Sequence, residues 1–317
     1  METRAAMTHP TIVCPVDFSV ASRGALRYAI AIAEHFGARL SVITVNDPVL
    51  AEAADLQFGA GWLASRSDRD LRRFITQAVD ERTVHVETAT HVAIGKPAQE
   101  ILRQAREDQA DLIVMSSRGN SGVRKLFFGA STERILRETE FPVLVTPAHD
   151  PGPSDLDSLQ RSVQHVLAPI DFMGATSHQI DVARAIADRF NTTLLLTHVV
   201  EPVWFATAMQ PQLPKTDNER RHRADTLLTD VAGSDRAERK IELLTAFGDP
   251  AEEIAKIAAD RKVGIIVMGL HASPRSGPRM GSITYRVLCL ASTLVLALPP
   301  TALTNGATRF AFHTAQA

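Results

Sequence analysis

Cysteine is nearly missing from this chain: only Cys14 and Cys289 occur in 317 residues, each inside an apolar run. No C-x-x-C pair exists, so a disulfide framework is excluded and both are expected to be buried small hydrophobes. The eleven histidines are dispersed and HExxH is absent, so no structural metal is expected. An excess of one charge is also lacking, since 34 Lys and Arg face 36 Asp and Glu for a net charge of -2. Nucleic acid is therefore not an expected partner. Long hydrophobic runs are missing as well. Val287 to Leu298 covers twelve positions broken by Ser292 and Thr293, short of the ~20 residues that cross a bilayer. Met1 to Pro10 has no apolar core of ~7 to 15 residues, so a secretory signal is not expected, nor a membrane partner, and the expected location is cytoplasmic.

Several catalytic signatures are absent too. There is no Gly-x4-Gly-Lys-Ser/Thr loop and no Gly-x-Ser-x-Gly elbow, Gly119-Asn120-Ser121-Gly122 being one residue short of the latter. No His-x-Gly-His element follows the first apolar run. Gly59-Ala60-Gly61-Trp62-Leu63-Ala64 fits Gly-x-Gly-x-x-Ala, but it follows the second expected strand and is read as a loop.

What is present is a repeat. The length is about twice that of a typical domain of roughly 150 residues, and 45% hydrophobic residues suffice for real cores. Ile12-Val13-Cys14-Pro15-Val16-Asp17-Phe18 returns as Val166-Leu167-Ala168-Pro169-Ile170-Asp171-Phe172, 154 positions later. Gly95-Lys96-Pro97-Ala98-Gln99-Glu100-Ile101 returns as Gly248-Asp249-Pro250-Ala251-Glu252-Glu253-Ile254, with five identities in seven. Leu112 to Met115 matches Ile265 to Met268, and Gly129-Ala130-Ser131-Thr132 matches Gly281-Ser282-Ile283-Thr284. Four matches in one order, 152 to 154 residues apart, mark duplication of a whole domain rather than a short-period solenoid. The expected organisation is a first domain over 1–148, a linker over 149–162 rich in turn formers, a second domain over 163–300 and a loose tail over 301–317.

Within each copy, apolar runs alternate with helical patterns, the signature of a parallel sheet with crossover helices. Five strands are expected in the first copy: Thr11–Val16, Arg39–Val45, Thr83–Val92, Leu112–Ser116 and Val143–Thr146. Leu26, Ala29, Ile30 and Ala33 form a helical stripe that ends at Gly37. Ile180, Ala183, Ala187 and Phe190 form the corresponding stripe, followed by a strand over Thr193–Val200. Pro97 and Pro250 suit the first turn of a helix, where no N–H is needed. The fold class is thus α/β, as two tandem doubly wound, Rossmann-like domains.

In such sheets ligands bind beyond the carboxyl ends of the strands, where strand order reverses. Asp17 and Asp171 end the first strands, and loops of small and basic residues follow the fourth. Glycines there let backbone N–H groups approach an anion, and the next helix adds its dipole. Arg118, Arg124 and Lys125 in copy one, and His271, Arg275 and Arg279 in copy two, are candidate phosphate partners or solvated loop charges. No paired carboxylate or His stands beside either Asp at readable spacing, so ligand holding or helix capping is favoured over catalysis.

Pro-Val/Ile-Asp, Gly-x-Pro-Ala and a loop of the form Gly-x2-Gly-x9-Gly-Ser/Thr together resemble the universal stress protein family, over about residues 9–148 and 163–299. The resemblance implies five-stranded domains of the adenine nucleotide alpha hydrolase-like type, and ATP with magnesium or manganese as ligand in one branch. It implies an adenine side at Pro15, Asp17 and Val45 in copy one, and at Pro169, Asp171 and Val199 in copy two. Phosphate contacts would come from Gly119, Gly129 and Thr132, and from Gly269, Gly281, Ser282 and Thr284. Both loops depart from the pattern. Copy one has Ser116 for the first Gly and Ala130 for the final hydroxyl; copy two has Ala272 for the second Gly and eight residues in place of nine before Gly281. An alanine forced to positive φ would cost ~1 kcal/mol or more, so copy two is the poorer expected phosphate site. The implied function is an ATP-binding stress-response regulator with at most slow hydrolysis. The alternative is a nucleotide-free dimerising interaction module. The resemblance also implies an intramolecular pseudo-dimer through Phe141 to Pro147 and Thr293 to Pro299, and further pairing as a homodimer.

Overall fold

The structure is a computed structural model. It describes residues 9–79, 86–118, 129–172, 176–202, 217–233, 240–270, 272–273, 277–278 and 282–299. The chain divides into two compact units, with the change between Leu159 and Gln160. In the first unit the elements are β1 (Thr11–Pro15), α1 (Val20–Phe36), β2 (Arg39–Asn46), α2 (Pro48–Phe58), α3 (Trp62–Ala78), β3 (Thr88–Ile94), α4 (Pro97–Glu107), β4 (Leu112–Ser116), α5 (Ala130–Glu138) and β5 (Val143–Thr146). The short α6 (Leu156–Ser162) follows. The second unit contains β6 (His165–Pro169), α7 (Thr176–Arg189), β7 (Thr193–Val200), α8 (Asp217–Ala232), β8 (Ile241–Phe247), α9 (Pro250–Asp260), β9 (Ile265–Gly269), the short β10 (Ala272–Ser273) and β11 (Gly277–Pro278), α10 (Ser282–Leu290) and β12 (Leu294–Leu298).

Strand order in the first unit is β3-β2-β1-β4-β5, and in the second β8-β7-β6-β9-β12. Every pairing within these two arrays is parallel. Strands covered on both faces must be apolar throughout, and Ile12, Val13 and Cys14 in β1 and Leu194 to Leu196 in β7 are fully buried. The stripe Leu26, Ala29, Ile30 and Ala33 is buried on α1, which ends at Gly37 in the left-handed region with its N–H on Ala33 O. Pro97 and Pro250 open α4 and α9. Before each, the glycine has a φ of 157° or 152°. A Cβ there would lie 2.9 Å from Glu100 Cγ or 3.0 Å from Glu253 Cγ, so the helix's own first turn closes over the glycine.

Several expectations need correction. The third strand runs Thr88–Ile94 instead of Thr83–Val92, because its register with β2 continues until Ile94 faces Asn46; residues 83–85 lie outside the described residues. Only Gly59 to Gly61 of the glycine-rich hexapeptide is connection, while Trp62 to Ala64 begin α3. Phe190 lies beyond the end of α7 and is half-buried. Cys14 is fully buried, with its thiol pKa pushed up by that burial, but Cys289 is only half-buried. The segment read as a linker holds α6, whose Leu159 is fully buried. The tail over 301–317 lies outside the described residues.

Candidate functional site

At the carboxyl end of β1 the chain must leave the sheet and start α1 within a few residues. Phe18 adopts a left-handed φ of 62°, and its counterpart Phe172 one of 60°. For a non-glycine residue this costs roughly 1 kcal/mol or more, so both copies hold the same strained turn immediately after the aspartate. In the first unit the Ser19 N–H donates to Asp17 Oδ1 at 3.1 Å, and the Ser19 hydroxyl to the same oxygen at 2.5 Å. Ser19 Oγ also accepts from Ser22 N–H at 3.0 Å and caps α1. The cap anticipated for Asp17 is therefore Ser19, and the carboxylate orients that cap.

The second wall comes from β2. Pairing with β1 ends at Pro15 opposite Ile43, with Val16 N–H donating to Ile43 O at 2.8 Å. Ladder bonds alternate sides along a strand, so Val45 turns its backbone to the same side, where β1 has already left. The second unit repeats this: Ile170 N–H donates to Thr197 O at 2.7 Å, and Val199 lies two residues on.

The third wall is the start of the helix after the fourth strand. Thr132 Oγ1 donates to Ser116 O and Thr284 Oγ1 to Gly269 O, each at 3.1 Å, and both residues are buried. Their hydroxyl hydrogens fasten α5 and α10 to β4 and β9. A committed hydrogen is not available to phosphate, so these threonines shape the turn from below. Ser116 stands in place of the first loop Gly, and its hydroxyl donates to Arg118 O and accepts from Arg118 N–H.

Pro15, Asp17, Val45, Gly129 and Thr132 all line one cleft of about 360 Å³. Pro169, Asp171, Val199, Gly269 and Thr284 line a second of about 290 Å³. Gly119 and Gly281 lie outside the described residues; Ser282 is the first residue of α10, with its side chain outside them. Each cleft lies beside the reversal point between the first and fourth strands of its unit. The cleft linings add residues that the sequence did not assign to the site: Ser22, Ile101 and Met115 in the first, Gln179, His198 and Glu201 in the second. Met115 and Met268 carried a signal, both ending the repeated strand motif. Gln179 and His198 carried none, since neither has a like residue in the other copy. Among the described residues no group of three or more His, Cys, Asp or Glu is placed to hold a metal ion, and no helix is long and apolar enough to cross a membrane.

Comparison with known proteins agrees with this fold. A universal stress protein of Methanocaldococcus jannaschii is 31% identical over 139 residues, covering 42% of this chain and 79% of that protein. One of Thermus aquaticus is 33% identical over 135 residues, covering 43% and 96%. The crystal structure of a universal stress protein from Archaeoglobus fulgidus superposes with a TM-score of 0.64 at 18% identity, covering 91% of this chain and 98% of that one; it attests the fold. The model of the universal stress protein family matches residues 9–147 and again 162–299. The chain belongs to the universal stress protein family, as a tandem member.

Proposed function

We propose that the first cleft binds an adenine nucleotide with its phosphate chain, as ATP with a divalent cation, and that the protein is a nucleotide-linked stress regulator. The observation that carries this is the convergence in one cleft of a strand-end backbone at Val45, the apolar Ile43, Ile101 and Met115, and the polar Arg118 and Ser131. A flat base suits the apolar slot beside Val45. The guanidinium of Arg118, the Ser131 hydroxyl and the first-turn N–H groups of α5 suit an anionic chain at the other end. A divalent ion would ride mainly on phosphate oxygens, as magnesium commonly does, with Asp17 the one carboxylate among the described lining residues. Among the described lining residues no His and no second carboxylate stands ready to activate water, which supports slow hydrolysis at most.

Calorimetry with Mg-ATP at ~100 μM protein tests the reading, with saturable heat expected and a marked loss in Asp17→Ala. Absence of heat with the unsubstituted chain overturns it. Recovery of ATP from heat-denatured protein would separate it from the nucleotide-free interaction module.

A further inference from the structure

Between β2 and β3 the usual helix pattern is turned outward. A surface helix is expected to bury its apolar residues and present polar ones to water. In α2 the buried residues are Ala51 and Ala54, while Val49, Leu50 and Leu56 are 72%, 64% and 85% exposed. Val49 and Leu56 are two turns apart and stand in one row on the outer side, with Glu52 between them. Phe58, also exposed, closes the helix. Single apolar residues on a surface need no explanation, but four on one helix make a patch of the kind that marks an interface.

The complement lies on α3. Trp62, Arg66, Arg69 and Arg73 are spaced by four, three and four residues and so form one stripe, in which the three arginines are exposed. The indole of Trp62 stacks on Phe58 with 4.4 Å between ring centroids, and the Arg66 guanidinium lies over the indole at 5.6 Å. Asp55 Oδ1 accepts from Gly61 N–H at 2.9 Å, which braces the connection between the helices. Arg66 also has Asp70 at 3.5 Å, whereas Arg69 and Arg73 form no ion pair among the described residues. One helix pair thus carries an apolar, acidic row and an aromatic, basic stripe.

Such a pair is complementary to the same pair of another copy. A two-fold axis running along the helices lays α2 of each copy on α3 of the other and keeps heights along the axis unchanged. At 1.5 Å per residue, Glu52 lies about 9 Å from the end of α2, between Arg66 at about 6 Å and Arg69 at about 10 Å from the start of α3. Leu56, at about 3 Å, falls beside Trp62 of the other copy. An anionic partner, a lipid surface included, would meet Glu52 and Asp55 along with the apolar row, and a cationic one would meet the arginines. A second copy satisfies both.

We infer that the α2–α3 helix pair of the first unit is the surface through which two copies of this chain associate, with Leu56 on Trp62 and Glu52 against Arg66 and Arg69 across a two-fold axis. The pairing does not depend on what either cleft binds.

The test is sedimentation velocity of the full chain over a concentration series. A dimer is expected, with its dissociation constant raised at least about tenfold in Leu56→Asp, in Glu52→Arg and in Arg69→Glu. The double variant Glu52→Arg/Arg69→Glu is expected to recover pairing, since the exchanged charges again face each other. A chain that stays monomeric at ~100 μM overturns the inference. So does a dimer indifferent to Leu56→Asp, or a double variant that pairs no better than the single ones. Should Leu56→Asp not fold, Trp62 reports on the contact in Trp204→Phe, where it is the one remaining indole. Its emission should shift to the red on dilution through the dissociation range; emission that stays constant while the dimer dissociates overturns the inference.

Discussion

The Tyr28 hydroxyl donates to Asp150 Oδ2 at 2.8 Å, tying α1 to a segment 122 residues further along the chain. Asp150 Oδ1 accepts from Gly152 N–H at 2.8 Å. The same approach brings main chains together: a Cβ on Gly24 would lie 2.1 Å from Asp150 O, and one on Gly152 2.6 Å from Gly24 O. The turn-forming stretch after β5 is thus docked on its own unit and is not a free tether.

Tyr28→Phe should lower stability at pH 7 by about 1.5–3 kcal/mol, the usual range for a bond to a charged acceptor. Burial, then the Asp150 charge, raise the phenol pKa above its ordinary value. A raised folded-state pKa means the folded chain holds the proton longer. The contribution is complete below the unfolded value of about 10 and is lost as pH rises above it. Chemical denaturation of both proteins between pH 7 and 11 should show the difference shrinking at the alkaline end.

Gly24→Ala places a methyl where no room exists. An exposed mid-helix glycine gains roughly 1 kcal/mol on becoming alanine. Here the clash with Asp150 O should reverse the sign and cost about 1–3 kcal/mol. Thermal melting should fall by several degrees, and limited proteolysis should cut near Pro151 faster than in the unsubstituted chain.

Thr132→Val and Thr284→Val should each cost about 1–2 kcal/mol, since a buried strand-end carbonyl loses its hydroxyl donor. The two bonds have equal length and both threonines are buried. Similar losses in the two variants, measured by urea denaturation, are therefore expected. A loss in one alone would show that the duplicated turn is braced differently in the two units.

Asp249 caps α9 through Glu252 N–H at 3.1 Å, and the hydrogen bond from Arg286 is the main cause that lowers its pKa. A lowered folded-state pKa gives stability that is present above about 4 and lost as pH falls through the folded value. Asp249→Ala should cost about 0.5–1 kcal/mol at pH 7, the low end of cap effects for a partly exposed group, and less at pH 3. Melting curves at both pH values test this.

Lys96 stands at the same position in copy one and gives α4 no side-chain cap. Lys96→Asp should stabilise the first unit by about 0.5–1 kcal/mol through the new cap. It should also weaken Mg-ATP binding by placing a negative charge next to Pro97 at the cleft. Thermal denaturation and calorimetry on the same sample should move in opposite directions.

Much of the architecture was legible because it rests on short-range rules. The strands Leu112–Ser116, Val143–Thr146 and Thr193–Val200 fall where the apolar runs lie, since a strand buried on both faces has no freedom to be polar. Pro97 and Pro250 mark helix starts because proline has no N–H to lose there. Phe190 and the glycine-rich hexapeptide were misplaced because a periodic pattern does not state where a helix ends.

Duplication, the alternation of strands with helices and the positions of Asp17 and Asp171 were determined by the sequence alone, because repeats and periodicity are properties of the chain. Which side chains share a cleft was decided only by the tertiary structure. Gln179 and His198 face carbonyls 88 and 28 residues away, and Tyr28 faces Asp150 across 122. Such contacts follow no local period; they exist because a parallel sheet brings distant strand ends together, and with them the differences in charge between two copies of one fold.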